Sequence, residues 1–565
     1  MSRLFPFQAS HIKQNSSHLF SVITLLLLPC LVHSLEPGIA DQIDWDQRNK
    51  AEQIEIQDRL SDTERPAQLP TDVDNDLPPV ETACFHVKSI DIIDGFLSLP
   101  ENFNENYIDQ CLGKNGITQY LRLLNKFLLA EGYITARAVL PEQDLSIGQL
   151  KIKIMSGAID QIHFPEDYSA YWGHALPFKK GKSLNIRDME QGIDHLNRLI
   201  SQDVKFDVEP GREVGTSKIV ANVTKKRPWT AGLSIDDGGS ESTGLHQVSF
   251  NTSLSNTLRI QDVVSLSATR DLDDNSDNTS RSYRVSLSVP LGYWLFDLGA
   301  NGSEYEQLVN GAVQNFISTG DSHDESVKAT YVAYRDNKSK ASIYGNIRKR
   351  TRRGYINDTE VEVQRRNLTD VELGILYRHY IKRSVLDISL ATTRGLDWLH
   401  AEKKNEINSS VTPQPNYQYY TASAVFSGVF EVIDYPLQFN SQFQMQWADT
   451  PIYSLDWFSN GGRYTVRGFS AEHTLSAEHG WRSKNDITFQ FKRIPMSAYM
   501  GLDLGEVSGA GVDHNDEKII MGITLGVKGK VSQINYEAFI SSPFILNGEE
   551  ESNCCQFGGK LSWQY

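Results

Sequence analysis

A chain of 565 residues with 55 Lys and Arg against 71 Asp and Glu carries a formal charge of -16 at pH 7. That balance excludes a general nucleic-acid binder, whose phosphate contacts need clustered cations, and the length requires at least two folded units. Mean hydropathy is -0.39 and no stretch offers the roughly 18 apolar residues of a spanning helix, although membrane strands, which alternate lipid-facing and lumen-facing residues, escape that test.

Arg3 and Lys13 precede an apolar core at 19–28 and then Val32-His33-Ser34, with small or branched residues at the minus-three and minus-one positions. This predicts a secretory signal over 1–34, cut after Ser34. A lipoprotein reading of Leu27-Leu28-Pro29-Cys30 is weaker, because proline stands where a small residue is needed. Cys30 leaves with the signal. Cys84 and Cys111 are either a disulfide or two buried thiols, and spacing does not choose between them. Cys554 and Cys555 are adjacent and have no metal-ligand spacing with His or another Cys pair.

The stretch 35–82 is acidic and polar, with a helix-like segment from Trp45 to Leu60 whose apolar residues (Ala51, Ile54, Ile56, Leu60) form no wide stripe. Such a helix is a solvated linker or a guest in a polar cavity, and the residues alone favour the linker. Pro66, Pro70, Pro78 and Pro79 then make an extended tether.

Two units of one plan follow. In the first, a strand at 85–92 precedes a helix with Ile117, Tyr120, Leu121, Leu124, Phe127 and Leu128 on one face, then strands at 134–140 and 150–154. In the second, a strand at 159–164 precedes a helix marked by Ile186, Met189, Ile193, Leu196 and Ile200, then strands around Val204 to Val208 and Ile219 to Val223. Each is a small α+β domain whose open sheet edges suit an extended peptide, or else a rigid spacer.

The run Gly132-Tyr133-Ile134-Thr135-Ala136-Arg137 and Leu140-Pro141-Glu142-Gln143-Asp144-Leu145, with Gly148-Gln149-Leu150 and Gly157-Ala158-Ile159, resembles the first polypeptide-transport-associated (POTRA) domain of two-partner secretion transporters. These outer-membrane proteins of the haemolysin-activator type (TpsB) export haemolysins, adhesins and contact-dependent toxins. Leu196-Asn197-Arg198-Leu199 and Pro210-Gly211 resemble the second POTRA domain, and the segment 45–60 resembles the family's plug helix. The resemblance implies a Cys84 to Cys111 disulfide and the guest reading for the helix.

After Trp229 the period is two. Leu437, Phe439, Phe443, Met445 and Trp447 alternate with Gln438, Asn440, Gln442, Gln444 and Gln446, and 285–289 and 521–528 repeat the pattern. A sandwich alternates too, but a membrane barrel with a polar interior accounts for both faces. The 337 residues from 229 to 565, at about 20 per strand and connection, give about 16 strands, the number the resemblance also implies. Segments 271–280 and 401–416 suit extracellular loops. Asp236-Asp237-Gly238-Gly239 resembles the family's first hairpin, with Asp237 where asparagine is usual, and the aromatic ending at Tyr565 resembles the signal read by the barrel assembly machinery.

Gly461-Gly462-Arg463-Tyr464-Thr465 leads into Val466-Arg467-Gly468-Phe469, which alone is an ordinary turn. It resembles the family's loop motif folded back into the barrel, and Gly501-Leu502-Asp503-Leu504-Gly505 resembles the wall motif that receives it. The resemblance implies an Arg467 to Asp503 ion pair, with Gly501 and Gly505 leaving room. The dense run Arg348-Lys349-Arg350-Thr351-Arg352-Arg353, single in an acidic chain, reads as a solvated loop or strand end.

No G-x-S-x-G, phosphate loop or H-E-x-x-H is present, so no catalytic, cofactor or metal residues are assigned. The expected architecture is an all-β transmembrane barrel of about 16 antiparallel strands behind two small α+β POTRA domains and a plug-like helix. Its divisions are 1–34 signal, 35–82 plug and linker, 83–157 first POTRA, 158–227 second POTRA and 228–565 barrel. The expected function is export of an unfolded exoprotein, with outer-membrane lipid and the barrel assembly machinery as further partners and no nucleic acid. The alternative is a factor that inserts other barrels.

Overall fold

The computed structural model describes residues 66–70, 77–166, 168, 171–273, 278–311, 314–403, 412–432, 435–470, 474–510, 518–545 and 555–565. The expected signal at 1–34, the helix at 45–60 and Cys554 lie outside the described residues.

The first unit contains β1 (Phe85–Val87), β2 (Ser89–Ile93), β3 (Gln110–Leu112), α1 (Lys114–Ala130), β4 (Arg137–Val139) and β5 (Gln149–Met155). Its three-stranded sheet has the order β2-β5-β4 with β2 parallel to β5, while β1 and β3 pair separately. Ile117, Tyr120, Leu124 and Leu128 of α1 are buried with Leu150, Ile152 and Ile154 of β5. The amino end of α1 has no cap of its own. Glu81 of the tether accepts the N–H groups of Gly113, Asn115 and Gly116 at 2.9, 2.9 and 2.8 Å, placing a carboxylate at the positive end of the helix. The strand expected at 134–140 starts only at Arg137, because Gly132 at φ +91° turns the chain there.

The second unit contains β6 (Ala158–His163), α2 (Ile186–Asn197), β7 (Gln202–Pro210) and β8 (Thr216–Lys225), in sheet order β6-β8-β7 with β6 parallel to β8. Ile159, Leu184, Met189, Leu196, Val204 and Ile219 form its core. Asn185 caps α2 by accepting the Arg187 N–H at 2.8 Å.

Among the described residues, sixteen antiparallel strands then close a barrel, from the first, Trp229–Asp236, to the last, Gln556–Gln564, which pairs back onto it. The expected alternation holds. On the eleventh strand, Tyr435–Ala448, Phe443, Met445 and Trp447 are exposed while Gln446 is buried; on the fourteenth, Lys518–Val531, Ile523, Leu525 and Val527 are exposed while Thr524 is buried. Bulky apolar groups on the outside and polar groups inside mark a wall bathed by lipid.

The second unit docks on the short turns at one end of this wall. His174 Nε2 donates to the Ile260 carbonyl at 2.7 Å, and His195 Nε2 donates to that of Gly292 at 2.8 Å. Buried ion pairs add to this: Arg335, at the end of the sixth strand (Asn315–Arg335), meets Glu190 at 3.0 Å and Asp194 of α2. These contacts fix which mouth of the barrel the α+β units serve.

Candidate functional site

The described residues between the eleventh strand and the twelfth (His479–Gln490), 449–470 and 474–478, turn back into the lumen. Short strands at Phe458–Asn460 and Leu475–Ala477 pair antiparallel at the base of this segment, and Gly461, Gly462 and Gly468 have φ of 106°, 99° and 101°, a region open to glycine, which lets the chain between them turn around Arg467. Val466 and Phe469 are buried with Ile520 of the fourteenth strand, which pins both sides of the tip.

Arg467 is 4% exposed and Asp503, on the thirteenth strand (Met496–Ser508), is 0% exposed. Arg467 Nε donates to Asp503 Oδ2 at 2.6 Å and Nη2 to Oδ1 at 2.7 Å, a side-on pair, while the Arg467 main-chain N–H reaches Oδ2 at 3.1 Å. The structure therefore brings together the two residues that the sequence motifs single out. It adds a third, Asp486 of the twelfth strand, whose Oδ1 accepts from Arg467 Nη2 at 2.7 Å. Lys484 stands opposite Asp503 in the strand register, so a second cation lies on the wall beside the two carboxylates.

The approach of loop to wall is close. A Cβ on Gly501 would lie 2.2 Å from Arg467 Nη2, and one on Gly522 would lie 1.8 Å from the Arg467 carbonyl oxygen. Gly505 also makes room, but for Asn460: a Cβ there would meet its Nδ2 at 2.6 Å. Asn460 Nδ2 donates to the carbonyls of Trp481 and Glu506 at 3.1 and 3.0 Å.

The same segment has two further anchors. Arg463 pairs with Asp237, the residue that departs from the family's asparagine, and donates to the Gly559 carbonyl at 3.1 Å. Asp456 binds Arg350 of the seventh strand (Ser339–Ile356) through two bonds of 2.8 and 2.9 Å. Arg350 Nε is also 3.1 Å from Asp370, and Arg348 Nε is 2.8 Å from it. This corrects the reading of the 348–353 run as a solvated loop or strand end. The run is lumen wall, where Arg348, Arg350 and Arg352 share one face and are neutralised by Asp370, Asp456 and Asp324. A local charge count misses this because the carboxylates lie far off in sequence.

The POTRA signature is not part of this site; it builds the first unit. The Tyr133 ring packs edge-on against Phe96 at 4.7 Å. The Gln143 amide exchanges two bonds with the Lys151 main chain, both 2.7 Å, and donates to the Pro141 carbonyl at 3.3 Å. Asp144 caps the short turn Leu145–Ile147 through the Ser146 N–H, which holds its carboxyl below the ordinary carboxylate range, and Leu145 packs on the core. Cys84 and Cys111 are disulfide-bonded.

A family model described as haemolysin secretion/activation protein ShlB/FhaC/HecB matches residues 215–529; a ShlB-type POTRA model matches 85–157 and a second POTRA model 158–210. Similar curated proteins include outer membrane transporter CdiB-2 of Burkholderia pseudomallei (strain 1026b), 30% identical over 507 residues and 86% of each chain. Hemolysin transporter protein ShlB of Serratia marcescens is 27% identical over 447 residues and 78% of each. Among solved structures, CdiB from Escherichia coli superposes with a TM-score of 0.83 at 24% identity, over 95% of this chain and 100% of that one, a likeness of fold.

Proposed function

The chain belongs to the haemolysin secretion/activation family ShlB/FhaC/HecB, and from that premise we propose that it exports an unfolded exoprotein through its own barrel without nucleotide hydrolysis. It is an outer-membrane protein whose POTRA domains lie in the periplasm. The client is of the haemolysin, adhesin or contact-dependent toxin type. It docks in extended form on the open edges of the POTRA sheets, where β2, β4 and β7 each have a strand neighbour on one side only, whereas the outer side of β6 is met by residues 181–183. Its folding outside removes it from the return equilibrium, which supplies the direction.

The observation that carries this reading is the Arg467, Asp503 and Asp486 cluster: a loop held inside a polar lumen by a few charge-assisted bonds. Such a loop is joined to the wall only at its two ends and is otherwise held by noncovalent bonds that can be released, as a conduit that admits a polymer needs. The helix at 45–60 is proposed to occupy the lumen at rest and to leave before a client passes. Insertion by the barrel assembly machinery, read from the terminal strand, and contact with outer-membrane lipid complete the proposal.

The test is co-expression with the product of the neighbouring reading frame. Export predicts that product in the medium only when this chain is present. Retention in the periplasm, together with a fall in other barrel proteins when the chain is deleted, would instead identify a factor that inserts barrels.

A further inference from the structure

Residues 66–69 of the tether lie between α2 and the turn at 336–338, which joins the sixth and seventh barrel strands. Ala67 donates its N–H to Glu190 Oε1 at 2.7 Å, and its carbonyl accepts from Arg187 Nη1 and Nη2, each at 3.3 Å. Two residues on, Leu69 donates its N–H to Asn337 Oδ1 at 3.2 Å, and its carbonyl accepts from Asn337 Nδ2 at 2.7 Å. Alternate residues thus have both main-chain groups satisfied from one side, which is what a neighbouring antiparallel strand provides. Here side chains play the part of that strand. Of the tether's side chains, Gln68 adds a bond to the Asn337 carbonyl at 3.0 Å.

The reading groups are held firmly. Asn337 is 7% exposed and bonded to Arg187. Arg187 pairs with Glu190 at 2.8 Å, Arg335 pairs with Glu190 at 3.0 Å, and Lys340 reaches Asp194 at 3.2 Å. The site therefore belongs at once to the second POTRA domain and to the barrel mouth.

We propose that Asn337, Arg187 and Glu190 form a binding site for the main chain of an extended polypeptide, filled at rest by residues 66–69 and taken over by the client when that segment leaves. The proposal rests on the export reading for the identity of the second occupant. Because the site reads N–H and C=O groups, it accepts an extended segment of any sequence, and the two occupants exclude each other. Arrival of a client is thereby coupled to release of the segment that follows residues 45–60.

The test places the photo-crosslinking residue p-benzoylphenylalanine at exposed Lys338 of the full-length chain in detergent micelles. The probe is reduced, carboxymethylated lactalbumin, a permanently unfolded polypeptide. Ala67→Pro removes the N–H that Glu190 accepts and leaves the site intact. It should raise crosslinking to the probe about tenfold, the factor carried by one lost charge-assisted hydrogen bond. Adding Asn337→Ala to that variant should return crosslinking to the wild-type level. No rise with Ala67→Pro, or an equal rise in the double variant, overturns the proposal. Heat-modifiable mobility confirms a folded barrel in each case. No export is scored, so this result and that of the co-expression assay stand or fall separately.

Discussion

Arg467 and Asp503 meet side-on across the lumen, with nitrogen to oxygen distances of 2.6 and 2.7 Å, and the Arg467 main-chain N–H seals the same carboxylate at 3.1 Å. One residue belongs to the loop and the other to the wall, so this pair sets how deep the loop sits. Asp486 accepts at 2.7 Å from the same Nη2 that bonds Asp503, so one nitrogen joins the two carboxylates.

Arg467→Ala should abolish export, at least tenfold below wild type, while the barrel still inserts. Removing one partner of a buried pair costs about 3–5 kcal/mol because the other charge is left unpaired; here two carboxylates lose their shared cation, whereas the strand ladder is untouched. Arg467→Lys should not rescue, since a single ammonium lacks the planar fork that spans both carboxylates. Exoprotein in the medium and heat-modifiable mobility of the barrel measure the two effects, and normal export by the alanine variant would refute the role given to the loop.

Asp456→Asn should loosen the base of the same loop. Arg350 keeps Asp370 as a neighbour at 3.1 Å, so the expected loss is smaller than at Arg467, about 1–3 kcal/mol for a weakened charged hydrogen-bond pair. Combining Asp456→Asn with Arg350→Gln should cost less than the sum of the single changes, with a coupling of about 0.5–3 kcal/mol. Thermal loss of heat-modifiable mobility across the four proteins reads this out; strict additivity would show that the contact carries no energy.

What was legible in the sequence follows from the range of each interaction. The wall shows itself because one face of the eleventh strand is amide and the other apolar, as Gln444 beside Met445 illustrates. Where both faces are polar, as along Arg482-Ser483-Lys484-Asn485-Asp486, period two vanishes, so Asp486 gives no sign that it faces Arg467. The loop's other anchors join residues far apart: 106 positions from Arg350 to Asp456 and 226 from Asp237 to Arg463. No local pattern specifies such pairs. Gly522 is likewise placed against the loop only by the barrel's register.

Replacing Cys84 and Cys111 together by Ser should destabilise the first POTRA domain and leave the barrel intact. The crosslink closes a loop with a sequence separation of 27, for which the chain-entropy relation gives about 3–4 kcal/mol. A lower urea midpoint for protease protection of the periplasmic part is the expected result; an unchanged midpoint would show that the bond is inert.

Deleting residues 45–60 should raise single-channel conductance in planar bilayers. The segment is too poor in apolar residues to anchor a core, so its proposed place is the polar lumen, where removing it widens the aqueous path. Unchanged conductance would sink the plug assignment.

Docking of the second POTRA domain should weaken as pH rises. Asp188 of α2 accepts a hydrogen bond from Tyr293, in the turn between the fourth and fifth strands. Burial raises its carboxyl above the ordinary carboxylate range, with the Tyr293 bond opposing. The docked state therefore holds the proton more tightly than the undocked one. Its contribution is complete below the ordinary carboxylate value and is lost as pH climbs through the raised value. Spin labels at exposed Val214 and exposed Lys530 report the distance between domain and barrel. That distance should broaden with rising pH in the wild type and stay constant in Asp188→Asn, which fixes an uncharged group of the same shape. Persistence of the wild-type slope in Asp188→Asn would assign the effect to another group.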